Sequence, residues 1–382
     1  MMKLPSLSLY VHIPWCKKKC PYCDFYSKPM VKNKKIPQKK YIKNLLKDLN
    51  NDLKKINSRK INSIFIGGGT PSLLSSKILN IFIKKIKKKK ILKNNLEITI
   101  EANPNYIESK NFNKYKKIGI NRLSLGIQTF NSRILKILDR DYSKKKLSKS
   151  IKLAKKASFK SLNFDLMYNL PTQTFLEAMN DLKKAIKLKP NHISWYQFTI
   201  EPNTYFYKNR PNLPSDEISW KIYKKGKKFL KKNGFYQYEI SSFSRKKYQC
   251  FHNLNYWKFG DYIGIGCGSH GKITTKKFKI FRTKKTKNIK NFLQGKYLKK
   301  KYKLPIKDIP LEFFINNFRL NKKIKKKNFT KFTNLNIKNI SKEIKKAVKK
   351  KYIIEKKKFW KKTKKGKNFL NDLLEIFIKN KN

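Results

Sequence analysis

From Leu7 to about His192 the chain repeats one pattern: a short apolar run, a turn, then a longer amphipathic, lysine-rich stretch. The runs at 7–13, 63–67, 96–101, 122–126, 161–167 and 192–198 read as six strands. Helices are expected over about 38–57, 75–89, 109–117, 131–157 and 174–188, with Pro or Gly at several junctions. Alternation of this kind implies a parallel sheet covered by helices. Six repeats suit a partial or complete α/β barrel, whose functional site lies at the C-terminal ends of the strands.

Polar residues fall at those ends. Gly67-Gly68-Gly69-Thr70-Pro71 follows the second run, Glu101 closes the third, and Gln128 lies just past the fourth. Asp165 sits within the fifth, which runs on to Asn169 and Pro171. Singly each has a bland explanation, since a glycine turn is usually only a turn and a lone Asp is often a structural carboxylate. Together, beside a cysteine loop, they are hard to explain by core packing. That loop is Cys16-Lys17-Lys18-Lys19-Cys20-Pro21-Tyr22-Cys23, a CxxxCxxC run directly after the first strand. Three such thiolates can hold three irons of a [4Fe–4S] cluster and leave the fourth open to a small molecule, whereas an electron-transfer ferredoxin supplies four. A structural zinc site wants four ligands, usually as two pairs. Here His12 precedes the run, but no second pair follows at finger spacing. A disulfide framework does not suit a long chain with five Cys and no secretion signal. The apolar start has Ile13-Pro14-Trp15 where a signal peptide would need small residues.

The length of 382 residues suggests two or three domains. No segment approaches the ~18 consecutive apolar residues of a membrane span, so a soluble, cytoplasmic protein with reduced thiols is expected. A net charge of +74 would ordinarily point to a polyanion. That reading is discounted, because only eight of the 96 basic residues are Arg and Lys is spread over nearly every element. Lys, Asn and Ile are all abundant, and all are encoded by AT-rich codons. No helix-turn-helix, RRM or zinc-finger pattern gives the charge a docking geometry, so no specific nucleic-acid partner is expected. Non-specific, salt-dependent adhesion to nucleic acid is.

Beyond Thr199 the pattern changes. A helix near 215–233 and an apolar run at 236–240 lead to His252-Asn253-Leu254-Asn255-Tyr256-Trp257, then to a glycine-rich turn over Gly264–Gly271. We expect a barrel and its extension over 1–271 and a basic linker over 272–305. The last part, 306–382, reads as a small, mostly helical, winged-helix-like domain with a strand pair near 353–361.

On these motifs the chain resembles the radical S-adenosylmethionine (SAM) superfamily. The nearer resemblance is to the branch of oxygen-independent coproporphyrinogen III dehydrogenase and its HemW-type heme-chaperone relatives. It is carried by Tyr10-Val11-His12-Ile13-Pro14 leading into CxxxCxxC, the GGGTP turn and Glu101-Ala102-Asn103-Pro104. Leu125-Gly126-Ile127-Gln128, Asp165-Leu166-Met167, Leu170-Pro171, HNxxYW at 252–257 and the GIGCGSHG turn complete it. The resemblance implies a partial (β/α)6 barrel in which Cys16, Cys20 and Cys23 ligate the cluster and SAM chelates the open iron. Tyr10 and Tyr22 match aromatics beside SAM, and Gly68, Gly69 and Thr70 match a turn whose backbone lies against it. Glu101 matches a SAM-contacting acid. Gln128, Arg140 and Asp165 match positions lining a second SAM site in the dehydrogenase. In such proteins a reduced cluster passes one electron to the sulfonium of SAM and breaks a C–S bond.

Two departures separate the chain from the dehydrogenase. That enzyme carries a further Cys two residues beyond the third ligand, where this chain has Asp24-Phe25, and it has an N-terminal extension where this chain begins its first strand at about Leu7. Both argue against propionate decarboxylation, whereas CPYCDFYS and HNLNYW match the heme-chaperone relatives. The resemblance therefore implies a chaperone that binds heme and passes it to an apo-hemoprotein, a membrane-associated respiratory enzyme, with the dehydrogenase as the enzyme alternative. It also implies a homodimer, and the basic surface suits the inner face of a membrane. His252 is the expected axial heme ligand, with Tyr256 and Trp257 against the porphyrin. The bland alternative is a packed turn. His12, His192, His270 and Cys250 are the other candidates, with His12 expected under the cluster and His270 near SAM.

Overall fold

The computed structural model describes residues 4–31, 33, 35–56, 58–140 and 142–378. Strands β1 (Leu7–Ile13), β2 (Ile61–Gly68), β3 (Leu92–Ala102), β4 (Arg122–Gln128), β5 (Ser161–Tyr168) and β6 (His192–Gln197) stand side by side in chain order, all parallel. These are the six strands expected. The sheet continues past both ends of that set. Strands β7 (Tyr236–Glu239) and β8 (Ser242–Ser244) extend it antiparallel beyond β6. On the other side β9 (Asp261–Ile265) pairs parallel with β1, followed antiparallel by β10 (His270–Thr274), β11 (Ile280–Lys285) and β12 (Leu298–Lys303). The order is β12-β11-β10-β9-β1-β2-β3-β4-β5-β6-β8-β7, an arc with two free ends among the described residues.

The stretch 272–305, expected as a linker, is thus part of the sheet. Lysine hides its pattern: β12 reads LKKKYK, with five of its six residues exposed. It is an edge strand, where lysine discourages pairing with another chain.

Six helices cover one face: α1 (Gln38–Leu53), α2 (Ser76–Lys88), α3 (Phe112–Lys117), α4 (Lys144–Lys156), α5 (Phe175–Lys187) and α6 (Asp216–Lys232). Each turns an apolar stripe inward, such as Leu79, Phe82, Ile83 and Ile86 of α2, onto Leu9, Val11, Ile64 and Ile66 of the strands. Ser75, Ser143 and Ser215 cap their helices, and Thr174 with Glu177 forms a capping box at α5. Packing is close where α6 crosses the sheet, since a Cβ on Gly226 would lie 2.1 Å from the Trp195 ring. The helix expected over 131–157 is interrupted. A short helix, Ser132–Ile137, ends before Asp139 in the left-handed region (φ 54°), and α4 starts only at Lys144. The interruption carries Arg140.

The HNxxYW segment is helix α7 (Phe251–Trp257). The C-terminal part contains α8 (Ile309–Asn317), α9 (Lys326–Thr333) and α10 (Ser341–Lys349), with β13 (Ile324–Lys325), β14 (Ile353–Lys356) and β15 (Phe359–Lys362) in a small sheet ordered β13-β15-β14. Helix, strand, two helices and two strands in that order make a winged-helix-like unit. Its own core gathers Phe313, Phe314, Phe318, Phe329, Trp360 and Phe377 and extends to Phe259 and Ile280 of the main body. Among the described residues no helix is long and apolar enough to cross a membrane.

Candidate functional site

In β1 the residues Leu7, Leu9, Val11 and Ile13 enter the core under the helices, so Tyr10 and His12 point to the opposite, concave face. The register aligns polar groups on that face: Glu101 lies beside Ser124, Gly126 beside Asp165, and Asp165 beside Ser194. These groups line a cavity of about 490 Å³ together with Cys16, Cys20, Cys23, Tyr22, Gly68, Gly69, Thr70, Gln128 and Arg140. One cavity therefore collects all three cysteines and eight of the nine expected SAM-contacting residues.

Tight backbone contacts hold the cavity wall. The Gly69 N–H donates to Ile13 O (2.8 Å) and the Thr70 N–H to Trp15 O (2.7 Å), which fastens the GGGTP turn to the start of the cysteine loop. A Cβ on Gly69 would sit 2.5 Å from Trp15 O, so only glycine allows this approach. The Gly68 N–H donates to Glu101 Oε2 (3.2 Å). Burial, and next the nearby Asp165 carboxyl, push Glu101 up to about 8, so it carries a proton at neutral pH. Burial also raises Asp165, against the hydrogen bonds it accepts from Ser124 Oγ (2.8 Å) and Asn163 Nδ2 (2.8 Å). Arg140 donates through Nε (3.0 Å) and Nη2 (2.7 Å) to the Tyr22 hydroxyl, and through Nη1 to Asn103 Oδ1 (2.9 Å). It thereby ties the cysteine loop to the end of β3. Gln128 takes a left-handed backbone (φ 67°) where β4 ends, and its Oε1 accepts from the Tyr196 hydroxyl (2.9 Å).

The three thiols are free of disulfides, Cys16 buried and the other two half-buried, and burial pushes Cys16 and Cys23 up. Among the described residues no three His, Cys, Asp or Glu donors converge as a single metal ion requires. Three spaced thiols fit a cluster, in which each thiolate takes a different iron. The glycine turn, the acid pair and a volume within the ~300–1,000 Å³ of cofactor pockets fit a SAM-sized molecule beside it.

The other expected residues lie elsewhere. Tyr10 lines a second cavity of about 470 Å³ on the same concave face, and its hydroxyl pairs with His12 Nδ1 (3.0 Å). His252, expected to bind heme, is buried with both ring nitrogens engaged, Nδ1 with Ser63 Oγ (3.0 Å) and Nε2 with the Tyr256 hydroxyl (2.9 Å). Its backbone N–H and that of Phe251 donate to Glu97, whose carboxylate holds the start of α7. In this arrangement His252 anchors the helix. Tyr256 lines the second cavity, and Trp257 lines both. His270, expected near SAM, also belongs to the second cavity.

Several cavity residues escaped the sequence reading. Asn103 and Asn253 stand inside motifs that pointed to the site. Ser194, Tyr196, Glu239 and Arg319 line the thiol cavity from elements with no local signature. Arg319 packs over the Trp257 ring, 4.3 Å from its centroid, and only the fold could show that.

The family model of the Radical SAM superfamily matches residues 10–185. The chain is 54% identical over 379 residues to a protein of Buchnera aphidicola (subspecies Acyrthosiphon pisum) named heme chaperone HemW, covering 99% of this chain and 100% of that one. A protein of the same name from Escherichia coli is 44% identical over 378 residues, covering 99% and 100%. Among solved structures, coproporphyrinogen III oxidase (HemN) from Escherichia coli, described as a radical SAM enzyme, superimposes with a TM-score of 0.82 at 22% identity, covering 98% of this chain and 90% of that one. That likeness establishes the fold. On these matches the chain belongs to the radical SAM superfamily, in the family of proteins named heme chaperone HemW.

Proposed function

We propose that the protein is a heme chaperone of radical SAM fold, which binds heme and transfers it to apo-hemoproteins of the respiratory chain. The observation that carries this reading is end-to-end identity of 44–54% with proteins named for that role. Asp24-Phe25 stand where the dehydrogenase has its further thiol, and both side chains are exposed. Cys16, Cys20 and Cys23 would hold a [4Fe–4S] cluster and the glycine turn, Glu101 and Arg140 would hold SAM. When bound, the pair supplies one-electron chemistry at a sulfonium. The protein's own contribution is placement. Arg140 fixes Tyr22 against the cysteine loop, the Gly69 and Thr70 amides hold that loop to the sheet, and Glu101 keeps a proton on its carboxyl until a cationic ligand displaces it.

We place the protein in the cytoplasm, delivering at the inner face of the membrane, where its lysines meet anionic lipid. The test is paired and anaerobic. The cluster-loaded protein should take up heme and pass it to an apo-hemoprotein acceptor. With SAM, reductant and coproporphyrinogen III it should yield no protoporphyrinogen IX. Decarboxylated product over multiple turnovers would overturn the chaperone reading in favour of the dehydrogenase.

A further inference from the structure

A third cavity, of about 600 Å³, lies where α6 and the β7 edge of the sheet meet the C-terminal unit. It adjoins the thiol cavity, and Tyr196, Ser241 and Arg319 line both. Four cations from separate segments face it: Lys227 of α6, Arg319 just past α8, Lys362 at the end of β15 and Lys367 beyond it. None of the three lysines has an ion pair among the described residues. Arg319 reaches Glu239 Oε2 at 3.4 Å. Asp216 and Asp372 also stand in the wall, both exposed.

Lysine is so abundant in this chain that exposed lysines around a cavity carry little weight. Lys362 is a different matter. It is 6% exposed, and its ammonium donates to Phe318 O. Burial, then Lys367, Arg319 and Lys227, push that ammonium down to about 8, with Glu239 opposing. A buried ammonium facing three other cations costs stability until an anion joins them. Two buried atoms of the same wall lack a hydrogen-bond partner, Arg319 Nε and Gln237 Oε1. The Gln237 Nε2 already donates to Ile240 O (2.7 Å), which identifies the oxygen as the orphan end of that amide. One orphan is a donor and the other an acceptor, so a ligand that answers both carries charged acceptor oxygens and a hydroxyl. At the rim Trp220 and Phe369 are 41% and 53% exposed, and Trp220 stacks on Tyr223, with ring centroids 5.7 Å apart.

We propose that this third cavity binds a small phosphate-bearing anion, with its oxygens met by Lys362, Arg319, Lys227 and Lys367 and a hydroxyl donated to Gln237. Hydrogen phosphate and a sugar phosphate ester such as a nucleotide share that chemistry. Sulfate has the charge and lacks the hydroxyl. Three of the four cations belong to the C-terminal unit and one to α6, so the bound anion ties that unit to the main body. Arg319 then faces the anion on one side and the thiol cavity on the other.

The experiment titrates inorganic phosphate, sulfate and ADP into the full-length protein by calorimetry, at one ionic strength set with chloride and without magnesium. Phosphate should bind more tightly than sulfate. ADP binding more tightly than phosphate assigns the site to a nucleotide that uses the aromatic rim, and equal affinity assigns it to free phosphate; either result supports the site. Lys362→Met keeps the apolar stem and drops the charge. It should weaken phosphate and ADP about tenfold, while leaving the unliganded protein no less stable in urea. Lys367→Glu, at an exposed position, should weaken both several-fold and does not depend on the buried position tolerating a change. Lys299→Met, on the exposed edge strand β12, should change nothing. No binding of phosphate or ADP, sulfate bound as tightly as phosphate, an equal loss in Lys299→Met, or full affinity in both Lys362→Met and Lys367→Glu would overturn the site.

Discussion

Glu101→Gln keeps the shape of the side chain and an acceptor for the Gly68 N–H, and removes one ionisation. In the unfolded chain this carboxyl titrates near the ordinary 4.5, whereas in the fold burial and Asp165 push it up to about 8. Between those values the folded state binds the extra proton. Stability is therefore lost as pH rises through that window, and it stops falling above it. At about 1.36 kcal/mol per unit over roughly 3.5 units, the loss reaches about 5 kcal/mol as a ceiling, since part of the carboxyl faces the cavity. Asp48 and Asp181 also titrate high, near 6, but both proteins share them. The difference in stability between variant and wild type isolates Glu101. Urea unfolding of the two apoproteins at unit steps from pH 5 to 9 should show the variant gaining steadily to about pH 8 and then levelling. A difference that stays constant within about 0.5 kcal/mol across the range would refute the assignment of a protonated Glu101.

Gly69→Ala should place a methyl against the Trp15 carbonyl, where both contacting atoms are backbone and cannot swing aside. We expect a cost of about 1–3 kcal/mol, together with poor cluster retention measured as iron per chain and weaker SAM binding by calorimetry; normal loading would contradict the packing argument. Asp261 is buried, accepts from Arg59 (2.7 Å), Lys272 (3.0 Å) and Thr274 N–H (2.7 Å), and shares its site with a Lys272 side chain that is itself 2% exposed. Asp261→Asn leaves that lysine unpaired and should cost about 3–5 kcal/mol in urea unfolding; a loss below 1 kcal/mol would show the ammonium finding water instead.

What was legible in the sequence was what the local chain decides alone. Each of β1 to β6 holds a short apolar run, and in the first five a marking polar residue lies within or just beyond its C-terminal half, so Cys16, Gly68, Gly69, Glu101, Gln128 and Asp165 could all be placed toward one end of a sheet. Arg140 was assigned by resemblance; the break that delivers it, at left-handed Asp139, looked like continuous helix because lysines flank it on both sides. The strands β10 to β12 were hidden for a related reason: exposed lysines run through β12, and Lys272 of β10 and Lys285 of β11 stand at buried positions where an apolar residue would have marked a strand. His252 is a different case. Its motif was real, but whether a histidine ring is free depends on neighbours far along the chain, here Ser63 from β2, and no spacing rule reports that.

The position of β1 has a cost during synthesis. β1, made before the other strands of its sheet, is not an edge: it lies in the interior, between β2 and β9, and Leu7 takes Asp261 as its partner. At roughly 5–20 residues per second, the stretch between those two positions takes on the order of 13–50 seconds to emerge. For that time the nascent sheet presents an unpaired parallel edge rich in leucine, isoleucine and valine, and the most non-local strand pairing of the main sheet must wait for β9. Folding of this protein should therefore depend on whatever shields that edge on the ribosome, and strand competitors added during translation should be far more damaging than the same peptides added afterwards.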